Sequence, residues 1–114
     1  MASINSVVMV GRLCADPESK EVNGGFQKCD FTIAVDRSRK DANGEKKTDF
    51  FKAVCWNQTA KFLSTWAHKG DLVAVTGSMH IDTWENADGE KCKSYVINCA
   101  GVELLTRKAE TDLG

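Results

Sequence analysis

Only one stretch of this chain repeats its apolar residues at helical spacing, so whatever it folds into has to accommodate a single helix. Ala60, Leu63, Trp66 and Ala67 recur three and four apart, which gathers them on one side of a helix. Asn57 or Thr59 is placed to cap the start. Lys69 followed by Gly70 reads as a stop. The apolar stripe is expected to be core, Trp66 included. The flanking segments alternate at period two or break at turn residues, as strands do.

The segment that leads into this helix, Thr48–Trp56, has a distinctive alternation. Phe51, Ala53 and Cys55 fall on one side and suit a core. Phe50, Lys52, Val54 and Trp56 fall on the other, where a merely solvated face would carry Thr, Ser or Glu. Aromatic rings along a strand with cations among them suit an unpaired nucleic-acid strand, because bases stack on rings and phosphates meet cations. The alternative is a strand buried on both faces, with Lys52 reaching out to water.

The other strands follow in order. Ile4–Cys14 is the first, and Gly11 within it marks a bulge or bend of the kind barrel corners need. Asp16-Pro17-Glu18 breaks it, and Ser19–Val22 continues as a short extended piece. Asn23-Gly24-Gly25 is a turn, after which Phe26–Asp36 alternates as the second strand. Arg37–Lys47 reads as a polar loop holding Arg37, Arg39, Lys40, Lys46 and Lys47. Beyond the helix, Asp71–Met79 is the fourth strand. A long hairpin then passes Trp84, turns at Asn86–Gly89 and returns through Lys91 and Lys93. Tyr95–Leu105 is the last strand. Little apolar residue anchors the polar ends 37–47 and 82–94, so these are expected to be the most mobile parts and to order on binding.

Composition excludes several classes. A chain of 114 residues, 42% apolar, suits one domain with its own core. No apolar run reaches the ~20 residues of a membrane span, and the start lacks a signal peptide's basic and apolar regions. The cytoplasm is the expected compartment. A net charge of −1 argues against a polycationic coat but leaves room for a local basic patch. Five cysteines, at positions 14, 29, 55, 92 and 99, show no two-residue spacing, and four fall in strands, so they read as small apolar residues rather than metal ligands. No nucleophile–base motif, phosphate loop or cofactor signature marks an enzyme.

Three strands, a helix and two strands, with glycines where strands would bend, is the layout of an all-β, five-stranded OB-fold barrel with one helix between strands 3 and 4. Such barrels bind oligonucleotides or oligosaccharides across strands 2 and 3. The expected domain spans 1–105, followed by a short polar tail at 106–114.

The chain also resembles the bacterial and phage single-stranded DNA-binding proteins. The resemblance rests on Asn5-Ser-Val-Val-Met-Val-Gly-Arg-Leu13, Asp16-Pro17-Glu18, Phe31-Thr-Ile-Ala-Val35, Gly44-Glu45, Thr48-Asp49-Phe50, Ala60, Lys69-Gly70-Asp71, Val75-Thr-Gly77, Trp84 and Gly89. It implies a homotetramer of OB-folds that wraps single-stranded DNA in replication, recombination and repair. It places stacking aromatics at Phe50, Trp56 and Trp84, with Arg39 at a further stacking position. Arg12, Arg39, Lys40, Lys46, Lys52, Lys69, Lys91 and Lys93 are the cations expected to meet phosphates. Ala42, Gln58 and Thr83 stand where family lysines map, which implies weaker or more salt-sensitive binding. An acidic, apolar-ended tip that recruits replication and repair proteins is usual in the family, and Asp112-Leu113 echoes it faintly. The rival readings are a primosome-type or RNA-binding OB module using the same face, and a protein- or carbohydrate-binding OB domain. The loop cations argue against a neutral sugar.

Overall fold

The computed structural model describes residues 3–106. Its strands are β1 (Val7–Leu13), β2 (Glu18–Val22), β3 (Phe26–Lys40), β4 (Lys46–Trp56), β5 (Leu72–Glu85) and β6 (Lys91–Thr106), with helix α1 (Asn57–Trp66) between β4 and β5. They form one sheet in the order β1-β5-β6-β4-β3-β2, and an additional β1–β3 pairing closes it into a barrel. β1 and β2 are the two halves of one interrupted strand, broken around Pro17, and each half pairs with its own part of β3. Counted that way, the barrel has the five expected strands with the helix after the third: an OB-fold.

The closure explains two glycines. Near Gly11, β1 changes partner: Val7–Arg12 pair with β5, while Arg12 and Leu13 meet Ala34 and Ile33 of β3. A Cβ on Gly11 would come within 2.7 Å of the Ala34 carbonyl oxygen, so only glycine lets the strands approach this closely. Across β5–β6 the register shifts between Thr76 and Gly77, leaving Ala100 as the extra residue of a bulge. There a Cβ on Gly77 would overlap the Asn98 carbonyl.

Inside lie Leu13, Cys29, Phe31, Ile33, Ala53, Cys55, Val73, Val75 and Ile97, and α1 adds Ala60, Leu63 and the following Ala67. Trp66 does not join them and is 53% exposed, which corrects its assignment to the core. At about 100° per residue, position 66 lies roughly 60° beyond Leu63 on the helix circumference, outside the arc that residues 60, 63 and 67 define. The expected caps are also corrected. Trp56 occupies the cap position and no side chain caps α1. Asn57 instead sits at φ 53, and its side-chain oxygen accepts the Gln27 N–H. The helix ends at Trp66, so Lys69 and Gly70 lie past it, in a turn that ties the helix end to β1. Gly70 N–H donates to the Leu13 carbonyl, and the Lys69 N–H donates to Asp16.

Most of the polar segment 37–47 is strand, and only 41–45 form a loop. β3 runs on to Lys40 and β4 begins at Lys46, with an irregular stretch between the Asp36–Thr48 and Lys40–Lys46 pairs. Likewise β5 and β6 stay paired from the barrel out to Glu85 and Lys91. The second ribbon is the long hairpin expected through Trp84 with its turn at 86–89, whereas the first replaces an expected loop, because β-ladders can continue where no core lies beneath them.

Candidate nucleic-acid interface

One outer face of the barrel is a groove built from four strands. Each contributes residues two apart: Lys28, Asp30 and Thr32 from β3; Lys52, Val54 and Trp56 from β4; His80, Asp82 and Trp84 from β5; Ser94, Val96 and Asn98 from β6. The register sets them in rows. Lys28 lies opposite Trp56, and Thr32, Lys52, Val96 and His80 align across all four strands. The short parallel seam between β4 and β6, Lys52–Val54 against Val96–Asn98, runs through the middle of the floor.

Trp56 is held rather than loose. Its Nε1–H donates to Asn98 Oδ1 at 3.1 Å, and the Lys28 ammonium lies 5.5 Å from the ring centroid. The ring stays 39% exposed, a positioned apolar plane facing outward. Phe50, two positions beyond Lys52 on the same face, is 67% exposed. Trp84 is about half exposed on the outward part of β5. Val54, expected on this face, lines the groove with almost no exposure.

The charge pattern on the floor is mixed. Lys28 and Lys52 are accompanied by Asp30 and Asp82, and Lys28 lies 3.9 Å from Asp30. The β3–β4 ribbon is more basic. Arg37 donates to both carboxylate oxygens of Asp49, at 2.9 and 3.1 Å. These hydrogen bonds hold the Asp49 carboxyl below its usual range. Arg39, Lys40 and Lys47 share a shallow hollow with Arg37, Ser38 and Asp41, and Lys46 faces Lys40 directly across the ladder. Like charges in register oppose folding, so this pairing favours an anion between them.

The sequence-predicted residues therefore divide. Lys52, Trp56 and Trp84 share the groove, and Phe50 extends its face. Arg12 forms a row with Ala34 and Phe50 and donates to the Gly70 carbonyl beside Lys69, so both cations lie beyond the groove's far side. Arg39, Lys40 and Lys46 form the β3–β4 ribbon. Lys91 and Lys93 alternate with Cys92 and Ser94, which places them on the reverse of the β5–β6 ribbon from the groove. Sequence reading missed Lys28, Asp30, Thr32, His80, Asp82, Ser94, Val96 and Asn98. The period-two signal is present in all three strands, but which side faces the groove depends on register.

Among the described residues, no helix is long and apolar enough to cross a membrane and no cluster of metal-ligating side chains occurs.

A closed OB barrel whose outer face carries a held indole, further exposed aromatics and flanking cations belongs to the class of oligonucleotide-binding modules. Residues 4–105 match the model of the Single-strand binding protein family, and the chain is a member of that family. It is 40% identical over 106 residues to a "Single-stranded DNA-binding protein" of Streptococcus pneumoniae, covering 93% of this chain and 68% of that one. It is 36% identical over 109 residues to the protein of that name from Lactiplantibacillus plantarum, covering 96% of this chain and 54% of that protein, so it spans about half the latter's length. Against "Single-stranded DNA-binding protein 1" of Streptococcus pyogenes it is 34% identical over 108 residues, covering 95% of this chain and 83% of the relative.

Proposed function

We infer that this chain binds single-stranded DNA, largely irrespective of sequence and without chemistry on it, and so protects strands exposed in replication, recombination and repair. The observation that carries this reading is Trp56, an outward indole fixed by Asn98 and Lys28 on the floor of a four-strand groove. A ring already fixed loses little side-chain freedom when a base stacks on it. Phe50 and Trp84 offer further planes, and stacking accepts every base because each has a π-face.

The floor, where Asp30 and Asp82 accompany the lysines, suits bases. Lys52 on the floor, and Arg12, Arg39, Lys40, Lys46, Lys69, Lys91 and Lys93 outside it, suit phosphates. Arg39 stacks through its guanidinium plane or serves as a phosphate contact. No cofactor enters this reading. The compartment is the cytoplasm, with the protein associated with the nucleoid. Self-association, as a homotetramer, is part of the proposal and is supported by apolar side chains left on the outside of β1. Replication and repair proteins would join through an acidic tip, and the tail at 107–114 lies outside the described residues.

The test is quenching of intrinsic tryptophan fluorescence by a poly-pyrimidine DNA oligomer, with a matched RNA oligomer in competition. Saturable quenching that favours DNA is expected. An unchanged spectrum would overturn the reading, and preference for RNA would move it to the RNA-binding rival.

A further inference from the structure

We propose that the reverse face of the β5–β6 ribbon is a second surface for single-stranded nucleic acid, centred on Tyr95 and served by Lys93 and Lys91. This rests on the function proposed above and extends it to a part of the molecule the groove does not include.

The burial pattern along β6 separates the two faces. Cys92, Ser94 and Val96 are partly covered on the groove side, while Lys91, Lys93 and Tyr95 are exposed on the other. Tyr95 lies directly opposite Ile81, and the two are 60% and 57% exposed. Nearer the barrel the same face is core: the next pair on this side is Met79 with Ile97, and Ile97 is fully buried. An apolar cross-strand pair thus stands in water just where the ribbon leaves the barrel. A purely solvated ribbon would carry Thr or Glu there, as Thr83 and Glu85 do farther out.

Charge identifies the occupant. On this face the cations are Lys91 and Lys93 and the acid is Glu85, all at two-residue steps from the Tyr95–Ile81 pair. A ring with cations two and four residues away has the spacings of β4, where the single Lys52 lies two residues from Phe50 and four from Trp56, and it suits a polyanion bearing flat apolar groups. The ribbon is also open on both edges. β1 covers β5 through Gly77 and the Asn5 side chain extends this to Met79, while β4 covers β6 only from Val96 to Asn98. A strand leaving the groove past Trp84 therefore has a free edge to turn around before it reaches Tyr95.

The test compares oligo(dC) of about 8 nucleotides, enough to occupy the groove, with one of about 16. Tyr95→Ala is expected to weaken binding of the longer oligomer roughly 5- to 100-fold and leave the shorter unchanged. Tyr95→Trp should restore the loss, and a long oligomer carrying iodouracil should photocrosslink to Tyr95. Equal affinity of wild type and Tyr95→Ala for both lengths, or no crosslink at Tyr95, overturns the proposal. So does a fall in assembly mass by light scattering in Tyr95→Ala, which would mark the face as a contact between copies. Trp56→Ala separates this from the main reading. If it weakens both lengths while Tyr95→Ala weakens neither, only the second surface fails. If it affects neither, the groove reading fails.

Discussion

At the scale of single residues, the three tryptophans should behave differently although all are partly exposed. Trp56→Ala and Trp84→Ala should each weaken single-strand binding by about 1–3 kcal/mol in titrations at fixed salt. Leu63→Ala should cost about 2–5 kcal/mol of stability, because it empties the centre of the helix–barrel contact. Trp66→Ala should cost about 1 kcal/mol or less in denaturant melts, since half of its surface is already in water. The sequence made Phe50, Lys52 and Trp56 readable because alternation alone decides their side. It misplaced Trp66 because residues three apart on a helix still differ by a large angle, and a ring at the margin of the stripe can turn either way. Two of the cysteines, Cys29 and Cys55, are packed in the core as small apolar residues would be. Cys29 and Cys55 face each other across β3–β4 without exposure, and their shared hydrogen bond and burial raise the Cys55 thiol. Burial pushes Cys99 up to about 11. At neutral pH these last two thiols stay protonated and unreactive. A thiol reagent should therefore label the partly exposed Cys14 and Cys92 first and reach Cys55 only on unfolding.

At the scale of elements, the glycines that bend the barrel are its least replaceable positions. Gly77→Ala sets a methyl group against the Asn98 carbonyl, on a residue that also holds the Trp56 indole. It should destabilise by about 1–3 kcal/mol in chemical denaturation and also weaken DNA binding, because the close approach at Gly77 and the stacking ring share Asn98. Loss of stability with binding intact in the folded fraction would show that the two are not linked. Element order, and the site of the helix, followed from periodicity. Element ends did not. The hairpin beyond Met79 is legible from its Asn86–Gly89 turn, but the ribbon beyond Asp36 reads as a loop because its residues are polar, yet backbone pairing needs no apolar side chain. The groove's β3, β5 and β6 walls stayed hidden for a related reason: choosing a face requires knowing which strands pair and in what register.

For the whole molecule, the apolar outside of β1 sets an expectation about assembly. Val8 is 72% exposed and Val10 nearly half, while Val7 and Met9 pack against the core. One barrel interior uses only one of these faces, and closed symmetric association is the usual way to cover the other. Light scattering at micromolar concentration should give a mass above one chain, and Val8→Glu should reduce it toward the monomer. Apart from Lys52 the proposed phosphate contacts lie off the groove floor, and log K should fall with log salt at about −0.7 per phosphate neutralised. Replacing Arg39 or Lys46 should lower that slope by about one contact.

The β4–β6 seam has a kinetic consequence. It joins Lys52–Val54 to Val96–Asn98, segments far apart in the chain and on opposite sides of the helix, through only three residue pairs. Contacts between such remote segments are slow to form, because the intervening chain has to be organised before they can hold. The seam should therefore close late in folding and open early in unfolding. A nucleic-acid strand lying in the groove would span both of its sides and act as a clasp, so bound protein should resist proteolysis for longer than its equilibrium stability alone would suggest.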